Sequence, residues 1–262
     1  MLLILLRFFR TGIIIQSDLK MRINKYLSLC GLGSRRKVEE FIKEGRISFR
    51  RNPDGLNPID SFSFAVKDHD EIFFDGEKVK PKVYKYILLN KPRGYITTKD
   101  DPMKRKSIMD LIPKSMHHLS PVGRLDKDTS GLIILTNDGN LYQKISHPRY
   151  KFIKHYLVEA KGKVSSQKIA LFSRGLTYGK EKLKAHSAAV VASHQGRTVV
   201  SIKLTEGKNR EIRKMFSFIK KPIISLERIA IGPISDKKLQ KGKWRSLKPL
   251  EVSRLKKELG IL

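Results

Sequence analysis

The stretch Gly123-Arg124-Leu125-Asp126-Lys127-Asp128-Thr129-Ser130-Gly131-Leu132 runs directly into Ile133-Ile134-Leu135. Acidic, basic, hydroxyl and glycine residues crowd one short segment, and an apolar run follows it. The glycines bound a loop, and the apolar run reads as a buried strand. A carboxylate beside a cation at the mouth of such a strand suits chemistry on an anionic substrate. An ionised carboxylate in that position also needs a cationic partner.

Outside this stretch the composition sets the class. The chain has 262 residues, 40% of them hydrophobic, which is enough for one large domain or two modest ones. Lys and Arg number 55 against 25 Asp and Glu, giving a formal net charge of +30. Self-repulsion of that size is relieved by a polyanion, and nucleic acid is the first candidate, ahead of an anionic membrane. A single cysteine, Cys30, excludes an internal disulfide and a cysteine-rich zinc site. It continues the helical spacing of Ile23, Tyr26 and Leu27 and is expected in a core. The seven histidines are scattered, and adjacent His117 and His118 cannot share a helix face, so no metal is expected. The first twenty residues are apolar, yet too interrupted for a membrane span and lacking the charge order of a signal peptide. Residues 1–21 are expected to be an extension or a mis-assigned start, with Met21 as the true beginning.

From Arg22 the chain reads as two short helices. Ile23, Tyr26, Leu27 and Cys30 form one apolar stripe, Gly31-Leu32-Gly33 breaks it, and Ser34 caps a second helix with Val38, Phe41 and Ile42 inward. Gly45 stands where a left-handed helix stop belongs. Arg22, Lys25, Arg35, Arg36, Lys37 and Lys43 make up the polar side. Strands are expected at 46–50, 62–66 and 71–74, with turns at Asn52–Gly55 and Asp75–Gly76. The small module ends near Lys80, and Lys80-Pro81-Lys82 reads as a linker.

Further strands are expected at 83–89, 95–98, 132–136, 156–160 and 198–204. Helices are expected from about Asn140, over 164–173, and over 209–218 with Ile212, Met215 and Phe216 inward. Strands and helices come in runs, not as βαβ units, which predicts an α+β protein with mostly antiparallel sheet. Neither a glycine-rich dinucleotide fingerprint nor a Walker sequence occurs, so no nucleotide cofactor is expected. Asp126 and Asp128 would point to opposite faces of an extended chain, which argues against a cooperating acid/base pair. The cations available to Asp126 are Arg124 next door and Arg213 on the 209–218 helix. On chemistry alone, Asp126 reads as a loop cap, Tyr156 as core and Arg213 as surface.

Several ordered motifs change that reading. The 123–132 segment closely resembles the Gly-Arg-Leu-Asp motif of pseudouridine synthases. Leu89-Asn90-Lys91-Pro92-Arg93-Gly94, Lys154-His155-Tyr156-Leu157-Val158, Glu206 through Met215 and Leu226 through Gly232 follow in the family's order. The chain resembles the ribosomal-RNA branch known as the RsuA type from about Arg22 to Leu247, and the 22–45 helices resemble its N-terminal S4 RNA-binding module. The resemblance implies an S4-like domain over 22–80 and a catalytic domain over 84–255. It implies Asp126 as the catalytic carboxylate, Tyr156 as the aromatic residue against the base, and Arg213 as the partner of the carboxylate. Arg124, Lys154, Asn209, Arg210, Leu226 and Arg228 become candidates for substrate binding. Arg22, Lys25, Ser34, Arg35, Arg36, Lys37, Lys43, Lys91 and Lys208 become candidates for RNA contact. The implied enzyme isomerises a uridine in ribosomal RNA and needs no cofactor or metal. A cytoplasmic protein without a membrane is expected, and a monomer, because no coiled-coil heptads or exposed apolar helix stand out. The alternative is a non-catalytic RNA-binding or ribosome-assembly protein on the same scaffold. Lys208, Glu211 and Lys214 depart from the family's common Arg, Gln and Arg, and the 48–55 segment is altered and longer than the usual turn.

Overall fold

The computed structural model describes residues 21–51 and 55–261. The extension over 1–20 and most of the turn at Asn52–Gly55 lie outside the described residues. The chain divides into two compact units, Met1–Val83 and Tyr84–Leu262.

In the first unit, helix α1 spans Ile23–Cys30 and α2 spans Arg35–Lys43. α1 buries Ile23, Leu27, Leu29 and Cys30, and Gly31 ends it at φ +88°. The Ser34 hydroxyl accepts the Lys37 N–H at 3.2 Å and caps α2. α2 buries Val38 and Ile42. Both helices pack on a four-stranded sheet in the order Asn57–Pro58, Ile47–Arg50, Glu71–Phe74, Glu77–Val79. The last pair is a hairpin whose turn residues, Asp75 and Gly76, both have positive φ.

Two expectations need correcting here. Met21 is not part of an extension: it pairs with Val66 in a short antiparallel ladder. The strand expected over 62–66 shrinks to Ala65–Val66, because the Ser61 hydroxyl accepts the Ser63 N–H and folds the preceding residues into a turn.

The second unit is built on a nine-stranded sheet. Its main path runs Ser187–His194, Arg197–Leu204, Lys154–Lys161, Ile223–Ile231, Ser130–Thr136, Tyr86–Lys91, Trp244–Ser246. All pairings along it are antiparallel except one. Ile223–Ile231 runs parallel to Ser130–Thr136, with Glu227 opposite Ser130 and Arg228 opposite Gly131. The loop over 123–129 enters the sheet at this seam. Every residue of Ser130–Thr136 is buried, as expected for a strand covered on both faces. Gly131 sits at φ +115°, where a Cβ would collide with the backbone of Arg228, so only glycine lets the two strands approach.

Helices cover this sheet. α3 (Gly139–Ser146) is capped by the Asp138 side chain, and α4 (Ser166–Arg174) by Ser165. α5 (Glu211–Phe218) turns Ile212, Met215 and Phe216 inward. It starts two residues later than expected because Arg210 adopts a left-handed φ of +51°. α6 (Pro249–Glu258) closes the unit and was not anticipated, nor were the strands Ser187–His194 and Trp244–Ser246. The expected strand over 83–89 shifts to Tyr86–Lys91, and the one over 95–98 reduces to a bridge between Ile96 and Ser107. Among the described residues no helix is long and apolar enough to cross a membrane.

Candidate active site

A cleft of about 380 Å³ opens in the second unit, lined among others by Asp126, Lys154, Tyr156, Arg213, Leu226 and Arg228. The loop carrying Asp126 is held from below. The Leu125 side chain is buried, and its carbonyl accepts the Thr97 hydroxyl at 2.8 Å. The Gly94 N–H donates to the Lys127 carbonyl at 2.7 Å, and the Thr129 N–H to the Asp126 carbonyl at 3.0 Å. This last bond curls the loop. Asp126 and Asp128, expected on opposite faces, therefore meet the same cations.

Arg213 reaches them from the first turn of α5. Its Nη2 lies 3.1 Å from an Asp128 oxygen and donates to the Asp128 carbonyl at 3.1 Å. Its Nε lies 4.0 Å from Asp126 Oδ2, and this buried N–H has no hydrogen-bond acceptor among the described residues. The tighter ion pair of Arg213 is thus with Asp128, and Asp126 sits at the edge of its reach. Arg210 adds a second guanidinium, 3.9 Å from Asp126 and 3.5 Å from Asp128. Burial pulls the Arg213 guanidinium below its usual range, and Asp128 acts in the opposite sense. The Asp126 side chain keeps 34% of its surface exposed to the cleft.

The opposite wall comes from the sheet. Tyr156 and Leu226 lie on adjacent strands, Lys154–Lys161 and Ile223–Ile231, and both are buried. The floor is cationic. Lys154 is almost fully buried and donates one long bond, 3.3 Å, to the Phe152 carbonyl. Burial, with help from Arg228, pushes its ammonium down to about 8. Arg228 is 2% exposed, and its Nε donates to the Leu132 carbonyl at 2.7 Å. Its Nη2 is buried with no hydrogen-bond partner among the described residues.

Arg124, Asn209, Arg210 and Lys208 also line the cleft, and all four are exposed. Lys208 is partly engaged, donating to the Lys182 carbonyl at 2.7 Å. Lys91 corrects its expected role as an RNA contact. It is fully buried, and its Nζ donates to the carbonyls of Pro92 and Tyr95 at 3.0 and 2.7 Å. Those bonds fold the 92–95 segment into a loop, which is why no strand forms there. Burial pushes its ammonium down to about 8, against the pull of Asp128 and Asp126. No phosphate can reach it.

Sequence reasoning missed Asp128 as the closer partner of Arg213, and it treated Glu211 only as a departure. Glu211 is 4% exposed, lines the cleft and accepts the Lys208 N–H at 3.1 Å. In the first unit Arg22, Ser34, Arg35, Arg36, Lys37 and Lys43 are exposed and Lys25 is half-buried. Lys37 pairs with Glu40 at 2.7 Å, and the Ser34 oxygen is used as the helix cap. Among the described residues no cluster of His, Cys, Asp or Glu could hold a metal ion.

The family described as RNA pseudouridylate synthase matches residues 85–218. A protein of Aquifex aeolicus (strain VF5), named as an uncharacterized RNA pseudouridine synthase, is 38% identical over 247 residues, covering 93% of this chain and 96% of that protein. The ribosomal large subunit pseudouridine synthase B of Bacillus subtilis (strain 168) is 34% identical over 237 residues, covering 90% and 95%. A crystal structure of a pseudouridylate synthase superposes with a TM-score of 0.63 at 26% identity, over 90% of this chain and 99% of that one.

Proposed function

This chain belongs to the RNA pseudouridylate synthase family, in its RsuA-type branch, and is an isomerase that converts uridine in RNA to pseudouridine; from the cleft we propose how it does so. Asp126 is the catalytic carboxylate. Isomerisation breaks the bond between ribose C1′ and uracil N1 and forms one between C1′ and C5. Positive charge develops at C1′ as the first bond breaks, and a carboxylate beneath the sugar stabilises or attacks that carbon. The freed uracil turns in place against Tyr156 and Leu226 and rejoins through carbon. C5 then loses a proton and N1 gains one, and the Tyr156 phenol is the group proposed to move it. The reaction balances without an added cofactor.

One observation carries this reading. Arg213 spans both loop carboxylates inside a cleft whose far wall is Tyr156 and Leu226. The cations face the carboxylates from one side, and the wall excludes water from the freed base. Arg124, Asn209 and Arg210 at the exposed side, and Lys154 and Arg228 deeper in, are proposed to hold the nucleotide. A uridine within folded RNA must first leave its stack, at a cost of roughly a few kcal/mol. Phosphate contacts from the basic surface offset that cost.

The proposed substrate is ribosomal RNA, in keeping with the name of the Bacillus subtilis relative. The 22–80 segment is proposed as an S4-like docking module, with the exposed cations of α1 and α2 on phosphates and Lys208 assisting at the cleft. The proposed state is a cytoplasmic monomer. The assay is tritium release from ribosomal RNA labelled at uridine C5. Release with pseudouridine formed at a defined position is expected, and none with any ribosomal RNA would overturn this substrate.

A further inference from the structure

Beside the cleft, a short antiparallel hairpin joins Leu176–Tyr178 to Glu181–Leu183 through Gly179, whose φ of +60° lets the chain reverse in two residues. Its sequence alternates from there. Leu183 and Ala185 are buried in the core beneath α5, whereas Lys180, Lys182 and Lys184 are exposed. The neighbouring Arg174 is exposed as well. The acid within the hairpin, Glu181, is taken by Lys214 of α5 at 2.7 Å, so the outer row keeps its positive charge.

The hairpin is tied to the lip of the cleft at several points. Lys208 Nζ donates to the Lys182 carbonyl at 2.7 Å, and the hydroxyls of Tyr178 and Ser217 meet at 3.2 Å. Glu211 is the central tie. Its buried carboxylate accepts the Lys208 N–H at 3.1 Å and also faces the backbone N–H of Lys184. One side chain thus joins the cleft lip, the first turn of α5 and the residue that follows the outgoing strand of the hairpin by one. A buried carboxylate used only for backbone N–H groups is costly unless it fixes a geometry.

We propose that the hairpin Leu176–Leu183, with Lys180 and Lys182 outward and Lys184 directly after it, is a docking arm for the phosphate backbone of an RNA helix flanking the target uridine, clasped to the cleft lip by Glu211. This rests on the RNA pseudouridine synthase reading and adds a second contact surface to it. Alternate residues of a strand stand about 6.6 Å apart on one face. Lys182 on the strand and Lys184 just past its end therefore present a row of cations, suited to a helix recognised by shape and backbone. A single strand would instead be gripped by stacking on aromatic faces. Residues 180–184 offer none, and the one aromatic of the hairpin, Tyr178, lies on its incoming strand with its hydroxyl against Ser217 of α5.

The test is equilibrium binding of the full chain to two RNA probes with equal nucleotide number, a stable hairpin and an oligouridine, over a range of salt. With Lys180→Ala, Lys182→Ala and Lys184→Ala combined, affinity for the hairpin probe is expected to fall about tenfold, and its salt slope by about two to three. Oligouridine affinity should change less than about threefold. Arginine at the same three positions should retain hairpin binding, and an unchanged melting temperature would verify folding. Equal losses on both probes, or no loss on the hairpin, would overturn the proposal. Glu211→Gln should weaken hairpin binding in the wild-type background and add little to the triple variant; strictly additive effects would remove the clasp. These readings do not use turnover, so an absence of tritium release would count against the catalytic reading alone.

Discussion

The two units carry the same kinds of charge in opposite settings. Arg35 and Arg36 on α2 stand in open solvent, whereas Lys154 and Arg228 beneath the cleft are almost wholly buried. An exposed cation costs the fold little and contributes little to it, so its value lies in what it attracts. A buried cation loses hydration and must be repaid by neighbours or by function. Lys91 is repaid by two carbonyls and holds the loop whose Gly94 steadies Lys127. Arg228 is repaid at Nε but not at Nη2, and Lys154 by one long bond. The first unit thus carries its charge where the proposed RNA contact needs it, and the cleft floor holds charge that folding alone does not justify.

The sharpest way to break this contrast is to empty the cleft of its central cation. Arg213→Ala leaves the exposed Arg210 as the remaining ion-pair partner of Asp126 and Asp128 among the described residues. Turnover of saturating RNA is expected to fall about 10²- to 10³-fold, the loss typical of removing one electrostatic group at a reacting centre. Single-turnover kinetics would measure it, and near-normal turnover would show that Arg213 does not serve the carboxylates.

A smaller effect should appear in stability. The folded Lys154 titrates at about 8 and its unfolded counterpart near 10.5. Below pH 8 both states are protonated, so the full cost of burying the ammonium is present. Between 8 and 10.5 the folded state has lost its proton and the unfolded state has not, so the cost fades as pH rises. Lys154→Met should therefore be more stable than wild type at pH 7, by roughly 1–3 kcal/mol, with the gain shrinking toward pH 10.5. Urea unfolding at pH 7 and pH 10 would read it. A pH-independent difference would show that burial of the charge is not the cause. The variant is also expected to lose turnover, as stabilised active sites commonly do.

The smallest effect belongs to the first unit. Replacing Arg35, Arg36 and Lys37 together with alanine should leave single-turnover rates at saturating RNA within about twofold. It should weaken RNA binding and lower the salt slope by about two to three. An unchanged slope would take α2 off the RNA-binding surface. Lys37 is the weakest contributor expected, because Glu40 already holds its ammonium.

Much of this was legible because it is local. Ser34, Gly45 and Gly31 mark helix ends wherever they occur, and the buried run from Leu132 shows itself by composition. The ordered motifs brought Asp126, Tyr156, Arg213 and Leu226 to one cleft. What stayed hidden depends on long-range pairing. Asp128 looked divergent from Asp126 because an extended chain was assumed, and the Thr129-to-Asp126 turn bond reverses that. Lys91 looked like a surface cation because its acceptors are carbonyls, which any sequence supplies. The parallel seam at Gly131 and Arg228 joins residues almost a hundred positions apart, and no local period announces it.

The most direct measurement pairs turnover with affinity in Asp126→Asn, which removes one charge and almost no volume. Tritium release from C5-labelled ribosomal RNA should become undetectable while RNA affinity stays within about threefold of wild type. Release at a rate near that of the unaltered enzyme would contradict the account, because the chemistry would then proceed without the carboxylate on which it depends.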